Sequence, residues 1–231
     1  MNTDTAELAP FAEGVWVGAA PARILGMPLT TTLTVLRLGD GGLLLHSPTA
    51  MTPERLSAVR ELGRVSHLYA PSLTHQRRIG EWAEAFPQAR LHGPTGLAVE
   101  RPDLRIDRSH GDPMDPEMEG MVEEFPIAGF RLQETVVFYR PARVMIVADL
   151  VHNIGRPAHR WTRIYAGLMG FYGRIELSRM LRWIAFDDRR AARASLDRVL
   201  AEPFEALIVG HGNHLRTGGR EALAAAYAWL T

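Results

Sequence analysis

The 231-residue chain has no cysteine, no lysine, no long apolar run and no excess of charge of either sign. Without cysteine there is no disulfide, thiolate nucleophile, iron–sulfur cluster or Cys-ligated zinc, so a metal site must be built from His, Asp and Glu. Nine histidines bound that search. All 26 basic residues are Arg, which removes Schiff-base and lysine general-base chemistry. The 26 acids balance them to a formal charge of zero, leaving no general electrostatic attraction for nucleic acid. A small-molecule partner is the expectation. No segment approaches the ~20 apolar residues of a membrane span, and residues 1–10 are polar without a charged-then-apolar leader, so a cytoplasmic location is expected. At this length, with 46% hydrophobic residues, a single domain over 1–231 with its core at about 12–230 is expected.

Local patterns alternate strands and helices. Residues 14–18 and 30–38 read as strands, and Asp40-Gly-Gly42 as the turn of a hairpin into residues 43–45. Thr52-Pro-Glu supplies the N-cap, N1 proline and first-turn acid of a helix that Gly63 ends. A strand at 65–70, a helix at 81–86 and a strand at 89–92 follow. Residues 101–120, rich in Pro, Asp and Gly, read as a surface loop. Residues 134–139 and 143–148 make a second hairpin, 187–201 and 219–230 are helices, and 206–209 is a buried strand. The order predicts an α/β fold of two mixed sheets with helices outside.

His46, Asp149 and His211 each follow an apolar strand directly, and His75 lies in the loop after residues 65–70. Strand ends are where loops aim side chains into a cleft. Imidazoles with one carboxylate suit a divalent first-row metal, zinc most simply. Gly210 and Gly212 favour a site role for His211, because glycine permits close approach and unusual dihedrals. A carboxylate after a buried run needs a partner, and for Asp149 the choices are a metal, backbone donors, Arg77 or Arg78. Helix capping competes with a site role for His75, and a bond to a neighbouring loop competes for His46. His152 and Asn153 are candidates for lining the cleft, with loop polarity the alternative. His67, His92, His110, His159 and His214 lie in no pattern, and surface or structural roles are expected. The aromatic and methionine series from Trp161 to Trp183, interleaved with Arg, is expected to be a homodimer face or a lid, ahead of a membrane-surface helix.

Residues 65–80, 129–139, Val144-Met-Ile-Val-Ala-Asp149 and Ile208-Val-Gly-His-Gly212 resemble, in order and spacing, the successive motifs of the metallo-β-lactamase-like hydrolase superfamily. The resemblance covers about residues 12–230. It implies a four-layer αββα sandwich with a metal cleft where the two sheets meet at one edge. It also implies an altered ligand set. The family loop H-x-H-x-D-H, anchored on Ile79-Gly80, falls on Leu73, His75, Arg77 and Arg78, so one ligand of four is kept. The next family ligand falls on Phe130, whereas the bridging Asp and the late His are kept as Asp149 and His211. His-Ser-Pro at residues 46–48 and Ala-Asp-Leu-Val-His-Asn at 148–153 are similar to a divergent branch of that superfamily classed as a domain of unknown function.

Two functions follow from that resemblance. In the first, His75, Asp149 and His211, with His46 closing the set, hold one zinc or iron ion. The chain is then a hydrolase of an ester, thioester, lactone or phosphoester, with Asp149 orienting the water or acting as base. Arg77, Arg78, His152 and Asn153 would bind an anionic substrate. In the second, the metal is lost and a non-catalytic module binds an anion through Arg77 and Arg78, or a partner through the aromatic segment.

Overall fold

The computed structural model describes residues 8–231; residues 1–7, and with them most of the segment 1–10 read above for a leader pattern, lie outside the described residues. The first sheet is ordered β1 (Ala9–Ala12), β2 (Val15–Ile24), β3 (Met27–Arg37), β4 (Leu43–His46), β5 (Val65–Tyr69), β6 (Arg90–Gly93) and β7 (Arg108–Ser109). Its first four strands are antiparallel neighbours, and β4 through β7 run parallel. The second sheet is ordered β11 (Ala206–Ile208), β10 (Val144–Ile146), β9 (Thr135–Tyr139) and β8 (Val122–Pro126), parallel between β10 and β11 and antiparallel elsewhere.

Strand periodicity divides the apolar residues into three cores. Leu36, Leu44, Val137, Tyr139, Val144, Ile146 and Ile208 face one another between the sheets. The alternate residues Val35, Leu43 and Leu45 turn outward onto Val59 of α1 (Pro53–Leu62) and onto Ile79 and Trp82 of α2 (Ile79–Ala85). On the far side, Val136, Phe138, Met145 and Leu207 pack against α6 (Arg189–Ala201) and α7 (Gly219–Ala226). The layers are therefore helix, sheet, sheet, helix. Short α3 (Leu97–Glu100) follows β6, while α4 (Arg160–Met169) and α5 (Arg179–Ile184) lie between β10 and β11 in the chain.

Several boundaries follow from the chemistry named above. Thr52 caps α1 by accepting from the Arg55 amide, and Gly63 ends it at a φ of 150°. Asp40-Gly-Gly42 turns β3 into β4, with Leu36 opposite Leu44. The segment at 101–120 differs from a plain surface loop. It contributes the edge strand β7 and buries Asp115 and Met118, because Asp115 is held by Arg90 at 2.8 Å. The β2–β3 hairpin is also longer than residues 14–18 suggest, turning at Leu25-Gly26, both with positive φ. Among the described residues no helix is long and apolar enough to cross a membrane.

Candidate functional site

His46, Asp149 and His211 stand at or just beyond the carboxyl ends of β4, β10 and β11, and His75 in the loop after β5. The parallel pairs β4–β5 and β10–β11 thus open toward one edge of the sandwich. There the Nε2 atoms of His75 and His211 lie 3.2 Å apart, and each lies 3.4 Å from Oδ1 of Asp149. All three residues are buried, and they lie at a cavity of about 660 Å³. His75 and Asp149 come together with His211 rather than with the arginines. Arg77 and Arg78 are exposed on the cavity rim, and Arg78 Nη1 is 2.6 Å from Glu81.

The triangle has the size a metal requires. Ligand atoms about 2.0–2.1 Å from a tetrahedral zinc are separated by roughly 1.6 times that distance, or about 3.3–3.4 Å. The far side of each ligand is also engaged. His211 Nδ1 is 2.8 Å from the Thr30 carbonyl, so it is the donor there and the neutral ring presents the Nε2 lone pair to the site. His75 Nδ1 is 2.8 Å from Ser47 Oγ, and Thr74 Oγ1 donates to Asp149 Oδ2 at 2.5 Å. Two imidazoles and a carboxylate oxygen facing a common point without a proton or cation between them repel. The donor set therefore fits a divalent ion.

Without a metal, a proton on His211 takes that place. Burial alone would raise the Asp149 pKa, yet the charge of His75 and the hydrogen bonds from His211 and His75 hold it well below the usual carboxylate range. Burial opposes protonation of His211, but the hydrogen bond and charge of Asp149 outweigh it and raise its pKa. His152, in the cavity wall, is pushed down to about 4 by burial and then by His211. Its Nδ1 is buried without a hydrogen-bond partner among the described residues.

A second group, His67, His92 and Asp115, brings candidate ligand atoms as close together, yet its protons are spoken for. Arg108 Nε donates to His92 Nδ1 at 2.9 Å, so a neutral His92 carries its proton on Nε2 and donates it to His67 Nδ1, 2.8 Å away. A protonated nitrogen cannot ligate, and 2.8 Å is a hydrogen-bond length. Arg108, His92 and His67 thus form a hydrogen-bonded chain, with Asp115 held by Arg90 at 2.8 Å beside it.

Several site features carry no sequence pattern. Glu134, fully buried, accepts from the amides of Ala148 and Asp149 at 2.7 Å and of Leu150 at 3.0 Å, fixing the backbone that presents Asp149. Burial, and after it the Asp149 charge, push Glu134 up to about 8. Its signal was a lone acid opening the apolar run 134–139. Thr30, Ser47 and Thr74 have no such signal. His46 is outside the converging triangle: its ring stacks on Tyr69 with centroids 5.4 Å apart, and its Nε2 is buried without a hydrogen-bond partner among the described residues. Asn153 bonds away from the cavity, its Nδ2 donating to the Asn213 carbonyl at 2.7 Å and its amide to the His211 carbonyl at 3.1 Å. Phe130, at a family ligand position, is core, packed against Phe186 at 4.9 Å.

Residues 13–166 match the family described as Domain of unknown function (DUF4336), about two thirds of the chain. The chain belongs to the DUF4336 family. Compared by sequence with the curated proteins, this DUF4336 chain matches none. Among solved structures it is similar to a metallo-β-lactamase from Pontibacter korlensis, with a TM-score of 0.68 at 13% identity over 97% of this chain and 98% of that one. A metallo-β-lactamase from Hirschia baltica aligns with a TM-score of 0.65 at 14% identity, covering 95% of both chains. The metal-soaked Flv1 flavodiiron core from Synechocystis sp. PCC6803 aligns with a TM-score of 0.65 at 13% identity, covering 97% of this chain and 60% of that one. This DUF4336 chain therefore has the metallo-β-lactamase fold, with a His/Asp group at its sheet edge that can hold a metal ion.

Proposed function

We propose that this single-domain chain is a hydrolase with one metal ion, zinc or iron, held by His75, Asp149 and His211. The observation that supports it is the triangle of 3.2, 3.4 and 3.4 Å among their ligand atoms. A metal bound there supplies Lewis acidity toward a carbonyl or phosphoryl oxygen and toward water. Thr74 and Thr30 hold Asp149 and His211 in the ligating orientation, and Ser47 does the same for His75. His46 is left out of the set, its ring stacked on Tyr69.

The cavity suggests the substrate. Ile24, Leu25, Met27, Tyr165, Phe171 and Met180 line it, so it suits an apolar group on an ester, thioester or lactone. Arg77 and Arg78 at the rim would meet a carboxylate or phosphate of that substrate, and neutral His152 would offer a hydrogen bond within. The metal-free anion module has less behind it, because Arg78 is engaged with Glu81 rather than converging with Arg77 on one point.

Metal analysis of protein purified without an affinity tag tests the reading. About one ion per chain is expected, lost in His211→Ala, with added zinc raising the melting temperature of the wild type alone. No bound metal after zinc or iron supplementation, with an unchanged melting temperature, overturns it.

A further inference from the structure

We propose that the face formed by the β2–β3 hairpin tip, α4 and α5 docks on an anionic lipid bilayer. Eight of the ten exposed large hydrophobic residues among those described belong to these three elements, and a ninth, Tyr172, lies in the link between α4 and α5. On α4, Trp161, Ile164 and Leu168 follow helical spacing along one exposed stripe, while Thr162 and Ala166 on the opposite side are buried. On α5, Trp183 and Ile184 are exposed in the same way. Trp183 is 82% exposed and Leu168 62%, too much apolar surface for a face meant for water alone. The three elements are tied together: Trp161 Nε1 donates to the Leu25 carbonyl at 3.1 Å, and Arg179 Nη1 to the Leu168 carbonyl at 3.2 Å.

Charge decides what covers this face. Between residues 156 and 184 there are six arginines and one acid, Glu176, in a chain whose total charge is zero. Glu176 is half-buried and paired with Arg182 at 2.5 Å, which leaves Arg156, Arg160, Arg163, Arg174 and Arg179 exposed without an acid in the segment to neutralise them. A symmetric homodimer sets a patch against its own copy and would bring these arginines together. An anionic bilayer instead offers both terms the face presents, an acyl region for Trp and Leu and phosphates for Arg. The same elements wall the cavity, whose mouth would then open toward lipid.

The test is co-sedimentation with vesicles of phosphatidylcholine, alone or mixed with phosphatidylglycerol, alongside sedimentation equilibrium of the free protein. Binding is expected to the mixed vesicles only, to weaken with salt, and to shift Trp emission to the blue. The paired substitutions Arg160→Glu with Arg163→Glu, and Leu168→Glu with Trp183→Glu, each weaken it at least about tenfold. Circular dichroism checks that both variants fold, and the salt series on the unaltered protein stands whether or not they do. No partitioning into mixed vesicles overturns the proposal. So does a dimer that Leu168→Glu with Trp183→Glu converts to monomer, which would make a second copy the occupant. Docking rests on surface alone and is expected unchanged in His211→Ala, so its failure is separate from any failure of the metal reading.

Discussion

Gly210 shows how little room surrounds the ligands. A Cβ there would lie 2.5 Å from the Ala148 carbonyl oxygen and 2.8 Å from His75 Cε1. Gly212 is constrained differently: its φ is +99°, and a Cβ would meet the Asn153 carbonyl. Gly210→Ala is expected to cost about 1–3 kcal/mol and to displace His75, lowering metal content as well as melting temperature. Normal metal stoichiometry in that variant would show that His75 is not held by this packing. Glu134 makes a complementary case. Glu134→Ala strips an acceptor from three amides, at about 3 kcal/mol or more, and frees the Asp149 backbone. Metal content should fall with it.

At the scale of elements the caps act far from the site. Asp188 caps α6 by accepting from the Ala191 amide at 2.9 Å, and α6 lies on the outer face of the second sheet. Asp188→Ala is expected to lose about 1 kcal/mol and a few degrees of melting temperature, while metal stoichiometry stays as in the wild type. Loss of metal would mean that the outer helix layer positions the cleft. Elements of this kind were legible in the sequence because their signals are local: Thr52-Pro-Glu, Asp40-Gly-Gly42 and the apolar, β-branched run 134–139 each name their own structure. Asp149 and His211 were legible as strand-end residues and His75 as a residue of the loop after 65–70, and the Gly-His-Gly run accounts for its own glycines. What holds those ligands was not legible, since Thr30 meets His211 across 181 positions and Thr74 meets Asp149 across 75. Only the closed sandwich makes such pairs. The segment from 161 to 183 was ambiguous for a related reason: spacing defines a helix face, but its relation to the cavity depends on where the β2–β3 hairpin tip arrives.

For the whole molecule, the histidines outside the site set the response to acid. His92 is entirely buried and is pushed down to about 2 by burial, then by the charges of His67 and Arg108. His46 is pushed down to about 3 by burial and then by His75. Both start from an ordinary value of 6.5, so the unfolded chain takes up their protons first. Their depressed values therefore contribute stability that is intact above pH 6.5 and lost as pH falls toward 3. Each loses about 1.4 kcal/mol per pH unit in that window, so at pH ~5 the two together remove about 4 kcal/mol. Set against a total of about 5–15 kcal/mol, that is enough to lower the melting temperature by roughly 10 °C or more. Thermal melts of metal-free protein across this range should stay level near neutrality and fall steeply below it. His92→Gln keeps a side-chain acceptor for Arg108 but cannot take up a proton, so its curve should fall with a shallower slope whatever its starting stability. An unchanged slope would place the acid sensitivity elsewhere, and a wild-type curve level down to pH ~4 would mean that these buried imidazoles are protonated in the fold.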